Sequence, residues 1–498
     1  MALVPITPTP GVVKVGTDYS NKGQWIDSNL VRWINSRAHP IGGWTVLFNG
    51  TISGQIIGLY SYPIGELPVL IIGTTSNVYR YDGTLTDITP SGFTPPTTGT
   101  LTAVGYGTGM YGTGNYGSAR TTPSALFSPT AYAYAFSSFG TTLVMSCTSD
   151  GNIYILPSGA SILTTCPNAP NGVSWSITSD ERFLFAICPL GNKGKIQWSD
   201  REDYTNWNVT ATTLSGSLSI PGEDDINNAV NWNGNIYIFS SSAVYRVNFV
   251  GGTLVYGIKT IVNKYDSPLS NRSVVCTPNF LCWLSKTGIG TWNGQYMQID
   301  NPVNGFISNN IYPGYESYTF GGYQEKYNEV WWFFSSTASI IPNKYVVWSI
   351  TDNLWSIGSL TRGAWNTSSV FDNAILSDDA GVIYEHENGS LSGSSGIGSL
   401  IPYLQSAPNE ISEGDNVMMV DRLIPDELTV GADILTYTIK YSMYPTAPMQ
   451  STPSYQVSNG KIDLRVTARQ MAIRVDGVTD ADFSIGVLRA NVVQRGSR

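Results

Sequence analysis

One aromatic phrase recurs along most of this chain: a short apolar strand centred on Tyr or Trp, then a turn. It reads NVYRYDGT at Tyr79, NIYILPSG at Tyr154, KIQWSDRED at Trp198, AVYRVNFVGG at Tyr245, GIGTWNGQ at Trp292, YVVWSITDN at Trp348 and VIYEHENG at Tyr384. Trp198, Tyr245 and Trp292 stand 47 residues apart, and the neighbouring steps are 44, 56 and 36. A repeat in the forties that carries several strands has the size of a propeller blade of four antiparallel strands. The step of 75 from Tyr79 to Tyr154 then holds a blade with an insertion. With one copy taken as incomplete, the spacing predicts an all-β chain built on a β-propeller of about six blades.

Composition agrees with that class. Only 13% of residues are charged, about half the usual share, while Gly (51), Tyr (29) and Trp (14) are plentiful. Aromatics fit a pleated sheet, and Gly and Asn supply turns with positive φ. No long window shows the i, i+3, i+4, i+7 stripe of an amphipathic helix. Residues 1–55 read as an N-terminal arm and a first strand, and 56–400 as the propeller. Within it, 91–135 is a nearly uncharged Gly/Tyr-rich insertion carrying Tyr106, Tyr111 and Tyr116, each followed by Gly. This segment reads either as a flexible loop or as an ordered loop packed on a neighbouring subunit, where tyrosines give contact area at low entropic cost. After the Gly/Ser-rich stretch Ser390–Gly398, residues 401–498 read as an antiparallel, sandwich-like β domain. There Ile462, Leu464, Val466 and Ala468 share one strand face, and Asp463, Arg465, Thr467 and Arg469 the other.

The net charge is −9. That balance argues against gripping nucleic acid through a basic patch, because phosphate contacts need clustered Lys and Arg. A weakly acidic lining would instead repel phosphate and let DNA slide past. The five cysteines, an odd and irregular set, read as reduced structural thiols. The first twenty residues lack a basic n-region and an apolar h-region, so no secretory signal is expected, and no membrane span is expected either.

Motifs for chemistry are weak throughout. His39 precedes Pro40 in a turn, His386 lies between Glu385 and Glu387, and no G-x-S-x-G elbow accompanies either. No Cys/His spacing suits zinc, and Cys276 and Cys282 read as core. Propeller glycosidases use two acids about 5–10 Å apart. The candidates here are Asp200, Glu202, Asp203, the run Glu223-Asp224-Asp225, and Asp378-Asp379. Each sits in a turn context where Asp bonds its own backbone, so that is the expected role. Trp292, Trp331, Trp332, Trp348 and Trp355 recur at strand positions and read as packing between blades. Catalytic residues, cofactors and metals are expected to be none.

Several longer phrases carry a resemblance. They are W-x-D-x-N-x-V-R-W at Trp25–Trp33 with PIGGW at Pro40–Trp44, YGTGMYGTGNYG before Phe136–Ile155, IQWSDREDYTNW at Ile196–Trp207, and DLRVTARQMAIRV at Asp463–Val475 with the closing FSIGVLRANVVQRGSR. In these the chain resembles the tail nozzle (tail hub, packaged-DNA stabilisation) proteins of short-tailed bacteriophages. The resemblance implies a virion component of the tail, made in the bacterial host cytoplasm and not an enzyme. It implies a homohexamer below the portal and adaptor rings that lines or closes the DNA exit channel and anchors tail fibres or spikes. On that reading, residues 1–24 and Tyr106, Tyr111 and Tyr116 are candidate subunit contacts. Glu223, Asp224, Asp225, Glu410, Glu413 and Asp415 are candidates for an acidic channel lining. The alternatives are a receptor-binding or glycan-cleaving propeller of a tailspike, and an adhesin.

Overall fold

A computed structural model describes residues 2–65, 67–96, 133–222, 224–367, 370–391, 401–410, 416–430, 435–444, 447–477 and 482–496. Among the described residues between Trp44 and His386 the chain forms seven four-stranded antiparallel sheets, the first six in simple up-and-down order. Their third strands are Val78–Tyr81, Ile153–Leu156, Lys195–Trp198, Ala243–Phe249, Ile289–Trp292, Lys344–Ser349 and Ile383–His386. Every one of them holds one of the seven aromatic phrases.

The described residues give seven such sheets where about six blades were expected. The undercount has a topological cause. The seventh sheet takes its first three strands from 365–386, but its outer strand is Trp44–Phe48, brought from the N-terminus (Tyr384 opposite Val46, His386 opposite Trp44). A sequence read in order finds this last unit incomplete.

Second strands such as LFAI (Leu184–Ile187), LCWL (Leu281–Leu284) and EVWWFF (Glu329–Phe334) are buried along their whole length. The pleat explains the lack of polar alternation, since successive side chains point to opposite faces and here both faces are covered. Leu281 and Trp283 pack with Phe239 and Val244 of the fourth sheet, while Cys282 and Leu284 pack with Trp332 and Phe334 of the sixth. Trp331 and Phe333 turn instead to Leu376 and Tyr384 of the seventh. Ile375 and Ile383 of the seventh meet Leu70 and Ile72 of the first, so the packing runs round in a propeller-like ring. Each fully buried aromatic contributes on the order of 2–3 kcal/mol.

Three further sheets join the two chain ends. In the first, Ala2–Ile6 pairs with Leu488–Gln494, followed by Met418–Ile424 and Ile462–Ala468. In the second, Thr9–Val12 and Gln24–Asn29 lead to Tyr403–Ser406, Gln470–Asp476 and Thr436–Ser442. In the third, Val31–Ile34 and Arg37–Pro40 stand beside Asp482–Ile485 and Glu427–Val430. The stretch expected as an arm thus divides, with 2–40 joining the C-terminal sheets and 44–48 the ring. Ile462–Ala468 alternates as expected, with Ile462, Leu464, Val466 and Ala468 buried and the residues between them exposed. Leu464 and Val466 share a core with Tyr437 and Ile473 of the neighbouring sheet, and that core continues into the fifth and sixth sheets of the ring.

Candidate functional site

The phrase Trp25–Trp33 forms the joint between the terminal sheets and the ring. It runs along Leu354–Ser359, the outer strand of the sixth sheet, whose edge would otherwise present unpaired backbone groups. Ser28 Oγ donates to Ile357 O (2.8 Å) and accepts from Ile357 N (3.1 Å). Asn29 Oδ1 accepts from Ser359 N (2.8 Å), and Trp33 Nε1 donates to Trp355 O (2.9 Å). Leu30, at φ 53°, donates its N–H to the Tyr345 hydroxyl (2.7 Å). Asp27 accepts from the Tyr403 hydroxyl (3.2 Å), and burial raises its pKa.

Arg32 is the centre of the joint. Its guanidinium binds two carboxylates of the ring side, Glu329 through Nε and Nη2 (both 3.1 Å) and Glu387 through Nη1 (2.8 Å) and Nη2 (2.6 Å). The Tyr327 ring lies 3.5 Å from the guanidinium carbon. All three charged side chains are at most 4% exposed. Burial opposes the Arg32 charge, and the two glutamates more than offset it, so its pKa is raised. For Glu329 burial dominates over Arg32 and raises the pKa. Trp331 Nε1 and the Gly42 amide donate to Glu329 Oε2 (3.1 Å) and Glu387 Oε2 (3.0 Å). Gly42, from the PIGGW phrase, has no room for a side chain, because a Cβ there would collide with Glu387 Oε2.

Next to this cluster, Arg362 Nε donates to His386 Nε2 (3.0 Å), and its guanidinium lies over Trp44 (4.8 Å) and Tyr384 (5.0 Å). His386 stacks on Trp44 at 5.2 Å. Burial, reinforced by Arg362, holds the His386 pKa well below its ordinary value, so the ring is a neutral acceptor. A small cavity lies among Gln324, Trp331, Trp365, His386 and Glu387.

At the ring axis a different arginine bridges the sheets. Arg272 precedes the fifth sheet, yet its Nη1 donates to Ile57 O in the first strand of the first sheet (2.6 Å). The fifth and first sheets are not neighbours in the ring, so the guanidinium reaches across one mouth of the axis.

The other candidates separate. Tyr106, Tyr111, Tyr116, Glu223, Glu413 and Asp415 lie outside the described residues. Asp224 accepts from the Ser242 hydroxyl, and Asp225 pairs with exposed Lys193 at 2.7 Å. Glu410, whose side chain is 5% exposed, accepts from the Tyr19 hydroxyl and pairs with Lys22 (3.6 Å), so it fastens the N-terminal segment. The N-terminal segment itself pairs with its own chain through Ala2–Ile6. Asp200 Oδ1 accepts the Arg201 and Leu214 amides (2.9 Å each) and Asp203 Oδ1 the Thr205 amide (2.9 Å). Asp378 Oδ1 accepts the Ala380 and Val382 amides (2.9 Å each), so these carboxylates hold turns, as expected. Among the cysteines, Cys147, Cys166, Cys188 and Cys282 are buried free thiols and Cys276 is an exposed one. Sequence reasoning singled out neither Arg272 nor Arg362. Their only signal is isolation, since each is a lone cation in a weakly charged stretch.

Among the described residues no helix is long and apolar enough to cross a membrane, and no group of three His, Cys, Asp or Glu is placed to hold a metal ion. No family model and no curated protein matches the chain. Solved structures it is similar to include an extracellular domain of a hybrid two-component system from B. thetaiotaomicron, at 12% identity and TM-score 0.34, covering 77% of this chain and 39% of that one. A gluconolactonase from Xanthomonas campestris matches at 11% identity and TM-score 0.31, covering 49% of this chain and 82% of that one. A chain of the mitotic checkpoint complex matches at 13% identity and TM-score 0.39, covering 69% of this chain and 95% of that one.

Proposed function

We propose that this chain is a structural subunit of a homohexameric tail nozzle of a short-tailed bacteriophage, which lines or closes the DNA exit channel below the adaptor and holds fibres or spikes. The observation that carries the reading is the use made of the phrases that bear the resemblance. Trp25–Trp33 and PIGGW lock the ring to the terminal sheets through Arg32, Glu329, Glu387 and Gly42. IQWSDREDYTNW closes a turn by Asp-to-amide bonds. Sequence spent on rigidity suits a building block that must transmit load. Weakly charged flanks suit heterologous contacts around a closed ring. Because Arg272 bridges a mouth of the subunit's own axis, DNA on this reading passes between subunits and not through one.

A second reading, a glycan-binding propeller of a spike, draws on the ladder Tyr312–Tyr315–Tyr318, with ring centroids 5.4 and 5.6 Å apart and Tyr312 exposed. Light scattering on the purified particle, with and without an adaptor ring, separates the two. A hexamer of the 54.0 kDa chain, free or formed on the adaptor, supports the nozzle. A stable trimer that binds or degrades a surface polysaccharide overturns it.

A further inference from the structure

The surroundings of Arg272 bear on the ring whatever the assembly it serves. Among the described residues its guanidinium is held by backbone carbonyls alone: Ile57 O and Gly363 O through Nη1 (2.6 and 3.5 Å) and Tyr318 O through Nη2 (3.1 Å). The Phe320 ring lies 5.5 Å from its carbon. No carboxylate among the described residues pairs with it. Burial accordingly pushes its pKa down to about 10.

Among the described residues its Nε–H has no partner, although the atom is buried. The open group is thus a cationic N–H, able to donate. Water would answer the hydrogen bond and leave the charge uncompensated, whereas an anion answers both.

We propose that the mouth of the ring axis at Arg272 binds a small inorganic anion, a halide or a compact oxyanion such as phosphate, through Arg272 Nε. An anion held there stabilises the native ring by mass action, because the unfolded chain has no such site.

Crystals of the full chain grown in bromide provide the test. The expected result is an anomalous peak within hydrogen-bond distance of Arg272 Nε in the wild type and its loss in R272M. A parallel crystal in phosphate distinguishes a halide site from an oxyanion site by tetrahedral density at the same place. Should R272M fail to fold, the wild-type crystals decide alone. Wild-type crystals in which neither anion occupies that position, with water or nothing beside Nε, overturn the proposal.

Discussion

Arg32 and Arg272 are both enclosed by the protein, and their charges are answered in opposite ways. At the joint, Arg32 meets two buried carboxylates with four hydrogen bonds and an aromatic face. At the axis, Arg272 meets three carbonyl oxygens. Dipoles orient a guanidinium without cancelling its charge, while paired carboxylates do both. The pKa directions follow, raised for Arg32 and lowered for Arg272. The lesson is that the permanent joint carries its own counterions and the axis leaves a charge open.

The largest expected effect breaks the joint. Arg32→Met strands Glu329 and Glu387 in a dry site, and removing one partner of a buried ionic cluster costs about 3–5 kcal/mol. Urea denaturation is expected to show that loss, with a first transition for the terminal sheets ahead of the ring. The triple change R32M/E329Q/E387Q should recover much of it, and a triple variant no better than R32M would remove the electrostatic explanation. At the axis, Arg272→Met loses hydrogen bonds from a charged donor, worth about 1.5–3 kcal/mol each, but sheds a buried charge as well. Its net destabilisation should therefore be smaller than that of R32M under the same denaturant titration.

Acid sharpens the comparison through His386. The folded pKa lies well below the unfolded value of 6.5, so the stability this group contributes is present above pH 6.5 and lost as pH falls toward the folded pKa. The slope from this one proton is about 1.4 kcal/mol per pH unit below 6.5. Glu329 works the other way. Its folded pKa is raised, so its contribution is complete below the unfolded value of 4.5 and lost as pH rises through the folded pKa. Stability measured from pH 7 to 5 should fall in the wild type, and H386Q should flatten the curve. An unchanged slope in H386Q would sink the assignment. The smallest effect belongs to the rim, where Lys193→Ala removes the exposed pair with Asp225 and should leave the denaturation midpoint where it was.

Much of the ring was legible in the chain. The seven aromatic phrases mark seven third strands, because a strand packed between like neighbours is largely apolar and ends in a turn each time. The alternation of Ile462–Ala468 was legible for a related reason, one face buried and one exposed. Less of the candidate site could be read. Arg32 stood inside a quoted phrase, but nothing local distinguishes a surface Arg-Trp pair from one that binds carboxylates roughly three hundred residues away. Glu410 looked like part of an exposed acidic run, and only folding places Tyr19 and Lys22 against it.

The sequence by itself determined the all-β class, the repeated unit and the turn-holding role of its aspartates, since these depend on residues within a few tens of positions of one another. Tertiary structure decided the number of sheets in the ring, the merger of residues 2–40 with the C-terminal sheets and the unequal compensation of its arginines. Those depend on pairings such as Trp44 with His386 and Ala2 with Val492, which link positions hundreds of residues apart. Backbone hydrogen bonds between strands leave no mark on side-chain pattern, so the chain must close before its partners are known.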